Sequence, residues 1–262
     1  MWIHNLNPTI LHLGPLEIRW YGLVYVLSFF LVILWLNYLK NQKELELSKE
    51  KIWDLAFYLM LGVIIGSRVL MIFWEPRYYL FQPLNLFKIW QGGMSFHGGF
   101  VGIITACWIY CRVNKLNFWR MADFLSIPTI CALALGRIAN FINGELIGTI
   151  WNGRGCVVFP NYDDYCRHPS TLYAAGYRFI IFGGLLLLNY LGRFQEGFIF
   201  WNFVFWEGIG RFIVDFYRQD SLYWYFSLGQ WFSLIMILLS IIIFISKYSP
   251  DCKKLLNLKV NT

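Results

Sequence analysis

Residues 136–148, GRIANFINGELIG, place an arginine, two asparagines and a glutamate at the end of an otherwise apolar stretch. On a helix, Arg137, Asn140 and Gly144 share one face, and Glu145 lies about 80° from Arg137 if the helix extends that far. A charge inside a membrane span costs at least about 2.5–3.5 kcal/mol. One explanation is that Arg137 reaches the lipid headgroups from a helix end. The neighbouring amides and carboxylate favour another explanation, an anion-binding patch.

A second group of charges alternates in sign along FWEGIGRFIVDFYRQD, residues 205–220. Glu207, Arg211, Asp215 and Arg218 follow at i, i+4, i+8 and i+11, which is one stripe on one helix face, with acids preceding bases in the favourable order. Such a stripe must face protein or water rather than lipid. It is either part of a binding site or a self-neutralised surface that packs helices. The spacing leaves open whether Glu207 pairs with Arg211 or with a neighbouring span.

A lone histidine, His97, lies in WQGGMSFHGGFVG, residues 90–102. The flanking glycines allow the backbone to approach a ligand or another helix closely. A lone histidine is often a hydrogen-bonded structural residue, but this glycine frame favours a functional one. No second histidine or cysteine stands at metal-ligand spacing, so no metal site is predicted.

Two hydrolytic chemistries are poorly supported. Ser170 follows Pro169 in RHPSTLY and is predicted to be a helix N-cap rather than a nucleophile. No GxSxG motif occurs, and no serine–histidine or paired-aspartate frame indicates a protease within the membrane.

The composition predicts an all-α integral membrane protein that must position these residues. Of 262 residues, 58% are hydrophobic and only 14% are charged, against about 25% in soluble domains. The net charge of +7 is spread over short loops, which argues against nucleic acid binding and for membrane orientation. About seven spans of bilayer length are predicted in one membrane domain, at 21–39, 52–73, 97–111, 119–142, 171–191, 198–217 and 230–246.

The distribution of basic residues predicts the orientation. Twelve of the 22 lysines and arginines fall on one side of the predicted spans and six on the other, with Arg68, Arg137, Arg178 and Arg211 inside spans. The positive-inside rule then puts the N-terminus outside and the C-terminus in the cytoplasm. Nearly every intramembrane polar residue, together with Tyr21 and His97, falls in the outer half of the bilayer. Their convergence predicts one site there, covered by outer loops 74–96 and 143–170.

Cys156 and Cys166 share the outer loop 143–170. If that loop faces a bacterial periplasm, it is in a compartment that permits disulfides. We therefore hypothesise a disulfide between them that closes the loop. Cys107, Cys111 and Cys131 are interpreted as small apolar fillers of the spans.

Several segments together resemble the prolipoprotein diacylglyceryl transferase family. The resemblance runs from about residue 14 to about residue 220. It includes GPLEIRWYG, GSR, WQGGMSFHGG, RMAD, GRIANFINGELIG, RHPSTLY and EGIGRFIVDFYRQ in that order. Two places depart from the family pattern. At the first, Thr171 and Ala174 replace the usual glutamine and glutamate. At the second, Asp215 stands where glutamate is more common.

The resemblance implies a transferase of the bacterial inner membrane whose active site faces the periplasm. Members of the family move the diacylglyceryl group of phosphatidylglycerol onto the thiol of a lipobox cysteine in a prolipoprotein, form a thioether and release glycerol phosphate. They need no metal or organic cofactor. The partners implied are thus this lipid, the signal peptide of a prolipoprotein and the bilayer.

That chemistry assigns roles to the residues singled out above. The thiol needs a base, which is either His97 or the substrate phosphate itself, and the phosphate needs cationic partners. Arg137 and Arg211 are predicted to hold the phosphate, and Tyr21 to donate a hydrogen bond near the headgroup. The other predicted substrate-binding residues are Arg68, Asn140, Asn143, Glu145, Gly148 and Asp215.

A transporter or flippase of an anionic lipid is the competing class, because it too would carry arginines inside spans. A transporter needs polar residues through both leaflets. Here the inner halves of the spans are almost bare, with Glu207 as the main exception.

Overall fold

The computed structural model describes residues 1–13, 16–82, 84–85, 95–192 and 194–258. Within these ranges the chain is mostly helical, which confirms the predicted class. The helices are α1 (Trp20–Asn41), α2 (Lys49–Trp74), α3 (Pro76–Phe81), α4 (Phe96–Val113), α5 (Phe118–Ile142), α6 (Ser170–Leu191), α7 (Phe198–Val214), α8 (Leu228–Ser246) and α9 (Ser249–Leu258).

Each of the seven predicted spans corresponds to one helix. Five of them, α1, α2, α5, α6 and α8, are long and apolar enough to cross a membrane by length and composition. Helix α4 is shorter than these five, and so is α7, which has 17 residues. The number of seven spans and their orientation therefore stay predictions. Helix α7 ends at Val214 and continues as a 3-10 turn, Asp215–Tyr217, where the sequence predicted one helix to residue 217.

The chain divides into two compact units, and the first comprises residues 32–121. In it, α2 packs against α4 through glycines. A Cβ atom on Gly66 would lie 2.3 Å from the carbonyl oxygen of Gly98, and one on Gly102 would lie 2.0 Å from that of Gly62. These contacts leave no room for a side chain. The glycines on both sides of this interface therefore serve helix packing.

The second unit comprises residues 1–31 and 122–262. Its helix α7 packs against α6 and α8. The start of α7 is fixed by the buried carboxylate of Asp123 on α5, which accepts hydrogen bonds from the backbone N–H groups of Gly197, at 2.7 Å, and Phe200, at 2.8 Å. An acid at this place satisfies free N–H groups and the positive end of the helix dipole.

Short strands, which an all-α prediction did not include, order the loops of the second unit. Strand β1 (Trp2–Ile3) pairs parallel with β4 (Val157–Val158), which pairs antiparallel with β5 (Cys166–Arg167). Strands β2 (Thr9–Leu13) and β3 (Leu16–Arg19) form one hairpin, and β6 (Leu222–Tyr223) and β7 (Phe226–Ser227) form another. The predicted disulfide between Cys156 and Cys166 is present, with 5.5 Å between the Cα atoms.

The N-cap prediction for Ser170 is wrong. Pro169 occupies the cap position of α6 without a side-chain hydrogen bond. The Ser170 hydroxyl instead donates to the carbonyl oxygen of Leu146 at 3.1 Å. This bond ties the first turn of α6 to the loop that follows α5.

Candidate active site

The GRIANFINGELIG segment forms a hydrogen-bonded chain around the end of α5. The helix ends at Ile142, and Gly144 turns the backbone with φ of +68°, a conformation that favours glycine. The Arg137 guanidinium donates to the Asn140 amide oxygen at 3.3 Å, and the Asn140 amide donates to the Glu145 carboxylate at 2.9 Å.

Asn143 completes this arrangement by donating to the other Glu145 oxygen at 3.1 Å. Glu145 is thus held by both amides and does not contact Arg137 directly. These contacts link Arg137 to Asn140 directly, and to Glu145 and Asn143 only through Asn140. They also leave its guanidinium without an ion pair to a carboxylate among the described residues.

The charged stripe on α7 and the following turn separates into two groups. Asp215 lies between two arginines, 3.7 Å from Arg211 and 3.6 Å from Arg218, and accepts a hydrogen bond from the Ser227 hydroxyl at 3.3 Å. Glu207 does not pair with Arg211. It pairs with Arg178 across the interface between α7 and α6, which answers the question that the spacing left open.

A pocket in the second unit brings four arginines together. Its lining consists of Arg137, Leu146, Ser170, Thr171, Ala174, Tyr177, Arg178, Arg211, Val214, Asp215 and Arg218. The space at its centre amounts to about 10 Å³, close to that of one water molecule. The side chains around it are therefore near one another.

The pocket is positively charged and rich in hydrogen-bond donors. Its four arginines have three carboxylate partners among the described residues, those of Asp215, Glu207 and Asp220. The buried Nε–H groups of Arg178, Arg211 and Arg218 have no hydrogen-bond acceptor among the described residues. Buried polar groups are normally paired, so these donors suit an anion with several acceptor oxygens, for which the lining side chains would have to move apart. Phosphate is such an anion.

Loop 143–170 positions the pocket wall through Gly148. The backbone of residues 147–149 pairs with Tyr217 and Gln219 on one side, by bonds of 2.9 and 3.1 Å, and with His168 on the other, at 3.0 Å. A Cβ atom on Gly148 would lie 2.2 Å from the His168 carbonyl oxygen and 2.8 Å from that of Tyr217. A glycine is required here because two backbones approach it. Gly148 was predicted to bind substrate, and in the structure its backbone forms an antiparallel β-bridge with that of Arg218, one of the lining residues.

Gly148→Ala is expected to destabilise this wall by about 1–3 kcal/mol, because backbone atoms must move to admit the methyl group. The melting temperature of the detergent-solubilised protein measures the effect. Gly176→Ala is the matched control, since a Cβ atom there meets nothing within 4 Å in helix α6, where alanine is favoured over glycine. Equal melting temperatures for the two variants would contradict this role of Gly148.

The buried side chain of Arg167 stabilises the same loop. It is buried, pairs with Asp163, and donates to the carbonyl oxygen of Gly148 at 2.9 Å and to the side chain of Gln219. Its hydrogen bond and charge lower the pKa of the Asp163 carboxyl. Next to it, burial lowers the pKa of His168, whose ring stacks on Trp151 at 4.4 Å. His168 is therefore neutral near pH 7, and the positive charge around the pocket comes from arginines.

The structure brings together only some of the residues predicted from sequence. Arg137, Arg211 and Asp215 line the pocket. Asn140 bonds Arg137, and Glu145 and Asn143 follow Asn140 in the same hydrogen-bonded chain without contacting Arg137. Tyr21 contacts Tyr25, with ring centroids 5.4 Å apart, and is not among the lining residues.

Two further predicted residues belong to the other unit. Arg68 is buried on α2. His97 lies in the first turn of α4, and its side chain is outside the described part of the structure, as are residues 83 and 86–94 of the predicted cap loop 74–96.

Sequence reasoning assigned no role in the site to the charged lining residues Arg178 and Arg218 or to Tyr177. Arg178 was recognised as a charge within a span and Arg218 as the end of the charged stripe, but neither was given a role. The position of Arg178 inside a predicted span could have indicated a role in the site, because a buried arginine inside a span needs partners.

Comparison with known proteins agrees with these observations. The sequence profile of the prolipoprotein diacylglyceryl transferase family matches residues 8–246. A protein of Cupriavidus metallidurans is 38% identical over 261 residues, which is 95% of this chain and 96% of its own length. A protein of Geobacter sulfurreducens is 38% identical over 251 residues, 92% of this chain and 95% of its own length.

A third relative, from Legionella pneumophila, is 38% identical over 246 residues, 90% of this chain and 95% of its own length. All three are named phosphatidylglycerol–prolipoprotein diacylglyceryl transferase. The similarity therefore covers nearly the whole chain and all of the pocket.

Proposed function

Because the chain belongs to the prolipoprotein diacylglyceryl transferase family, we propose that its arginine pocket binds the phosphate of phosphatidylglycerol during transfer. The chain is a transferase that acts in lipoprotein maturation, with phosphatidylglycerol as donor and a prolipoprotein as acceptor. The observation that carries the proposal is the meeting of four arginines around one small pocket. A lipid transporter is not supported, since the relatives are named as transferases.

The reaction is an S-alkylation of the lipobox cysteine. Its thiolate attacks the glycerol carbon that carries the phosphate, a carbon–sulfur bond forms, and the carbon–oxygen bond to the phosphate breaks. The electron pair of that bond goes to the phosphate oxygen, so glycerol phosphate leaves. The proton of the thiol goes to a base. The products are a thioether-linked diacylglyceryl group and a phosphate monoester.

The arginines stabilise the charge that develops when the carbon–oxygen bond breaks. The phosphodiester carries one negative charge, and a further negative charge develops on the leaving oxygen as the bond breaks. Arg137 and Arg211 approach the pocket from α5 and α7 and are placed to hold the phosphate and stabilise this charge. Guanidinium groups suit the task because they bind phosphate by paired hydrogen bonds.

The surrounding residues keep these arginines in position. Asn140 bonds Arg137 and is itself fixed by Glu145, while Asp215 sits between Arg211 and Arg218. The Asn143 amide oxygen is buried without a partner among the described residues. It is a candidate acceptor for a hydroxyl of the glycerol headgroup.

His97 is proposed as the base, with the substrate phosphate as the alternative. Imidazole has a suitable intrinsic pKa for taking the thiol proton near neutral pH. Tyr21 and Arg68 are kept as proposed headgroup contacts.

His97→Gln is expected to lower kcat more than it weakens binding of phosphatidylglycerol, since glutamine keeps hydrogen-bonding capacity but cannot accept the proton. General-base catalysis typically contributes about 10²–10⁴-fold. The pH profile of kcat/KM for wild type and variant measures it. A variant that keeps the acidic limb of the wild-type profile would assign the proton to the phosphate instead.

We further propose that the protein lies in the bacterial inner membrane with this site toward the periplasm. The excess of lysine and arginine on the opposite side supports that orientation. The disulfide in loop 143–170 supports it as well, because disulfides persist in oxidising compartments. Loops 74–96 and 143–170 would then cover the site and admit the signal peptide from that side.

Release of glycerol phosphate tests the proposed reaction. Purified protein is incubated with phosphatidylglycerol and a lipobox peptide, and the water-soluble phosphate ester is quantified. We expect release that requires both lipid and peptide and stops when serine replaces the peptide cysteine. Equal release without the thiol would indicate phospholipase C-type hydrolysis, in which water takes the place of the thiol, and would contradict the proposal.

A further inference from the structure

Arg178 is the most buried of the pocket arginines, with 2% of its surface exposed, and it is held from three directions. It forms an ion pair with Glu207 of α7, and it donates to the carbonyl oxygen of Ala174, one turn earlier on α6, at 3.0 Å. Its guanidinium also lies over the ring of Tyr177, 4.6 Å from the centroid. Such a side chain has lost the freedom that an arginine normally has at a surface.

Tyr177 connects the two helices of this cluster. Its hydroxyl donates to the same Glu207 oxygen that Arg178 contacts, at 3.1 Å. Its ring lies directly against α7, because a Cβ atom on Gly210 would be 2.3 Å from Tyr177 Cδ2. The ring is therefore enclosed between the backbone at Gly210 and the guanidinium of Arg178.

These bonds leave some N–H donors of Arg178 without an acceptor. An ion pair that only packs two helices has no need of such free donors. Arginine has five N–H donors, and only two of those on Arg178 have an acceptor among the described residues. The buried Nε–H group is one of the donors without an acceptor. Arg178 also lines the same pocket as Arg137 and Arg211. A buried, oriented donor without an acceptor, in a pocket of like charges, indicates a ligand with negative charge.

We propose that Arg178 is a third phosphate-binding arginine of this site, and that Glu207 and Tyr177 position it. This inference rests on the proposed function. Glu207 offsets the charge of Arg178 before substrate binds, so the buried arginine is tolerated. As the carbon–oxygen bond breaks and charge grows on the leaving phosphate, the remaining N–H groups of Arg178 bind that oxyanion. Its contribution is therefore to kcat and to the affinity for the released glycerol phosphate.

The test separates this role from a purely structural ion pair. Arg178→Gln alone leaves Glu207 buried and unpaired, which by itself destabilises the fold. The informative variant is Arg178→Gln/Glu207→Gln, which removes both charges and leaves two amides that can form hydrogen bonds. Glutamine has the shape of Glu207 and is shorter than Arg178. We measure the double variant's melting temperature, kcat, KM for phosphatidylglycerol, and inhibition by sn-glycerol 1-phosphate.

We expect the double variant to melt close to wild type, to lose roughly 10- to 100-fold in kcat, and to be inhibited several-fold more weakly by sn-glycerol 1-phosphate. If the double variant keeps the wild-type kcat and the wild-type inhibition, the pair only packs helices and the inference is overturned. A wild-type enzyme that transfers nothing would instead refute the proposed function, so the two failures are distinguishable.

Arg178→Lys covers the case in which the double variant does not fold. Lysine keeps the charge opposite Glu207 but lacks the planar fork. We expect weaker inhibition by sn-glycerol 1-phosphate at a near wild-type melting temperature, and unchanged inhibition would overturn the inference. Tyr177→Phe removes only the hydroxyl bond to Glu207 and is expected to lower kcat without a matching change in KM.

Discussion

Arg137→Lys is expected to reduce kcat/KM for diacylglyceryl transfer on the order of 10²–10³-fold, the cost of removing one oriented donor from an oxyanion site. Lysine preserves the positive charge, so a loss of this size comes from geometry. Arg137 is bonded to the described residues only through Asn140 and keeps its other N–H groups available to substrate. A lysine in its place offers a single ammonium group that cannot contact Asn140 and two phosphate oxygens in one plane.

The control for this prediction is Arg112→Lys. Arg112 is an exposed arginine near the end of α4, with its guanidinium over the ring of Trp108 at 5.4 Å. The Arg112→Lys substitution makes the same chemical change outside the pocket and is expected to leave turnover unchanged. Comparable losses in both variants would show that arginine content, rather than the pocket, determines activity.

Asp215→Asn is expected to cost both stability and activity. The Asp215 carboxylate is buried and separates two arginines, each under 4 Å away. Breaking a buried pair costs about 3–5 kcal/mol, and we expect the lower end because the Arg211 side chain is 31% exposed. Without the carboxylate the two guanidinium groups repel, so Arg211 moves from its place and kcat falls roughly tenfold or more.

Asp220→Asn provides the comparison for Asp215. Asp220 pairs with the same arginine, Arg218, at 3.0 Å, but its side chain is 30% exposed. Such pairs contribute about 0–1 kcal/mol, so melting temperature and turnover should stay close to wild type. The assignment of Asp215 as the positioning acid fails if the two variants behave alike.

The contacts around Arg137 were predictable because they are local. Asn140 and Glu145 are three and eight residues away, and helix geometry followed by a glycine turn determines how they meet. The Arg211–Asp215 pair was predictable for the same reason, since residues at i and i+4 are neighbours on a helix.

The partner of Glu207 was not predictable from its own helix. Arg211 stands at i+4, yet the observed partner, Arg178, is 29 residues away on α6. Which of the two is chosen depends on how α6 and α7 are rotated against each other, and the close contact of Tyr177 with Gly210 contributes to that rotation. A stripe of charges on one helix carries no information about its neighbour.

Gly148 and Ser170 show the same limit in loops. The need for glycine at residue 148 comes from the backbones of His168 and Tyr217, 20 and 69 residues away. Ser170 has the sequence context of an N-cap, but its hydroxyl finds a tertiary acceptor in Leu146. Local preference at both positions is overridden by contacts that form only when the loop folds.

The mass of a lipobox peptide after incubation with phosphatidylglycerol tests the central claim most directly. With wild type and with Arg112→Lys, we predict a mass increase equal to one diacylglyceryl group on the cysteine. With Arg137→Lys, the same product should form at a rate lower by about two orders of magnitude or more. No mass increase with the wild-type protein, or an undiminished rate with Arg137→Lys, would contradict the account.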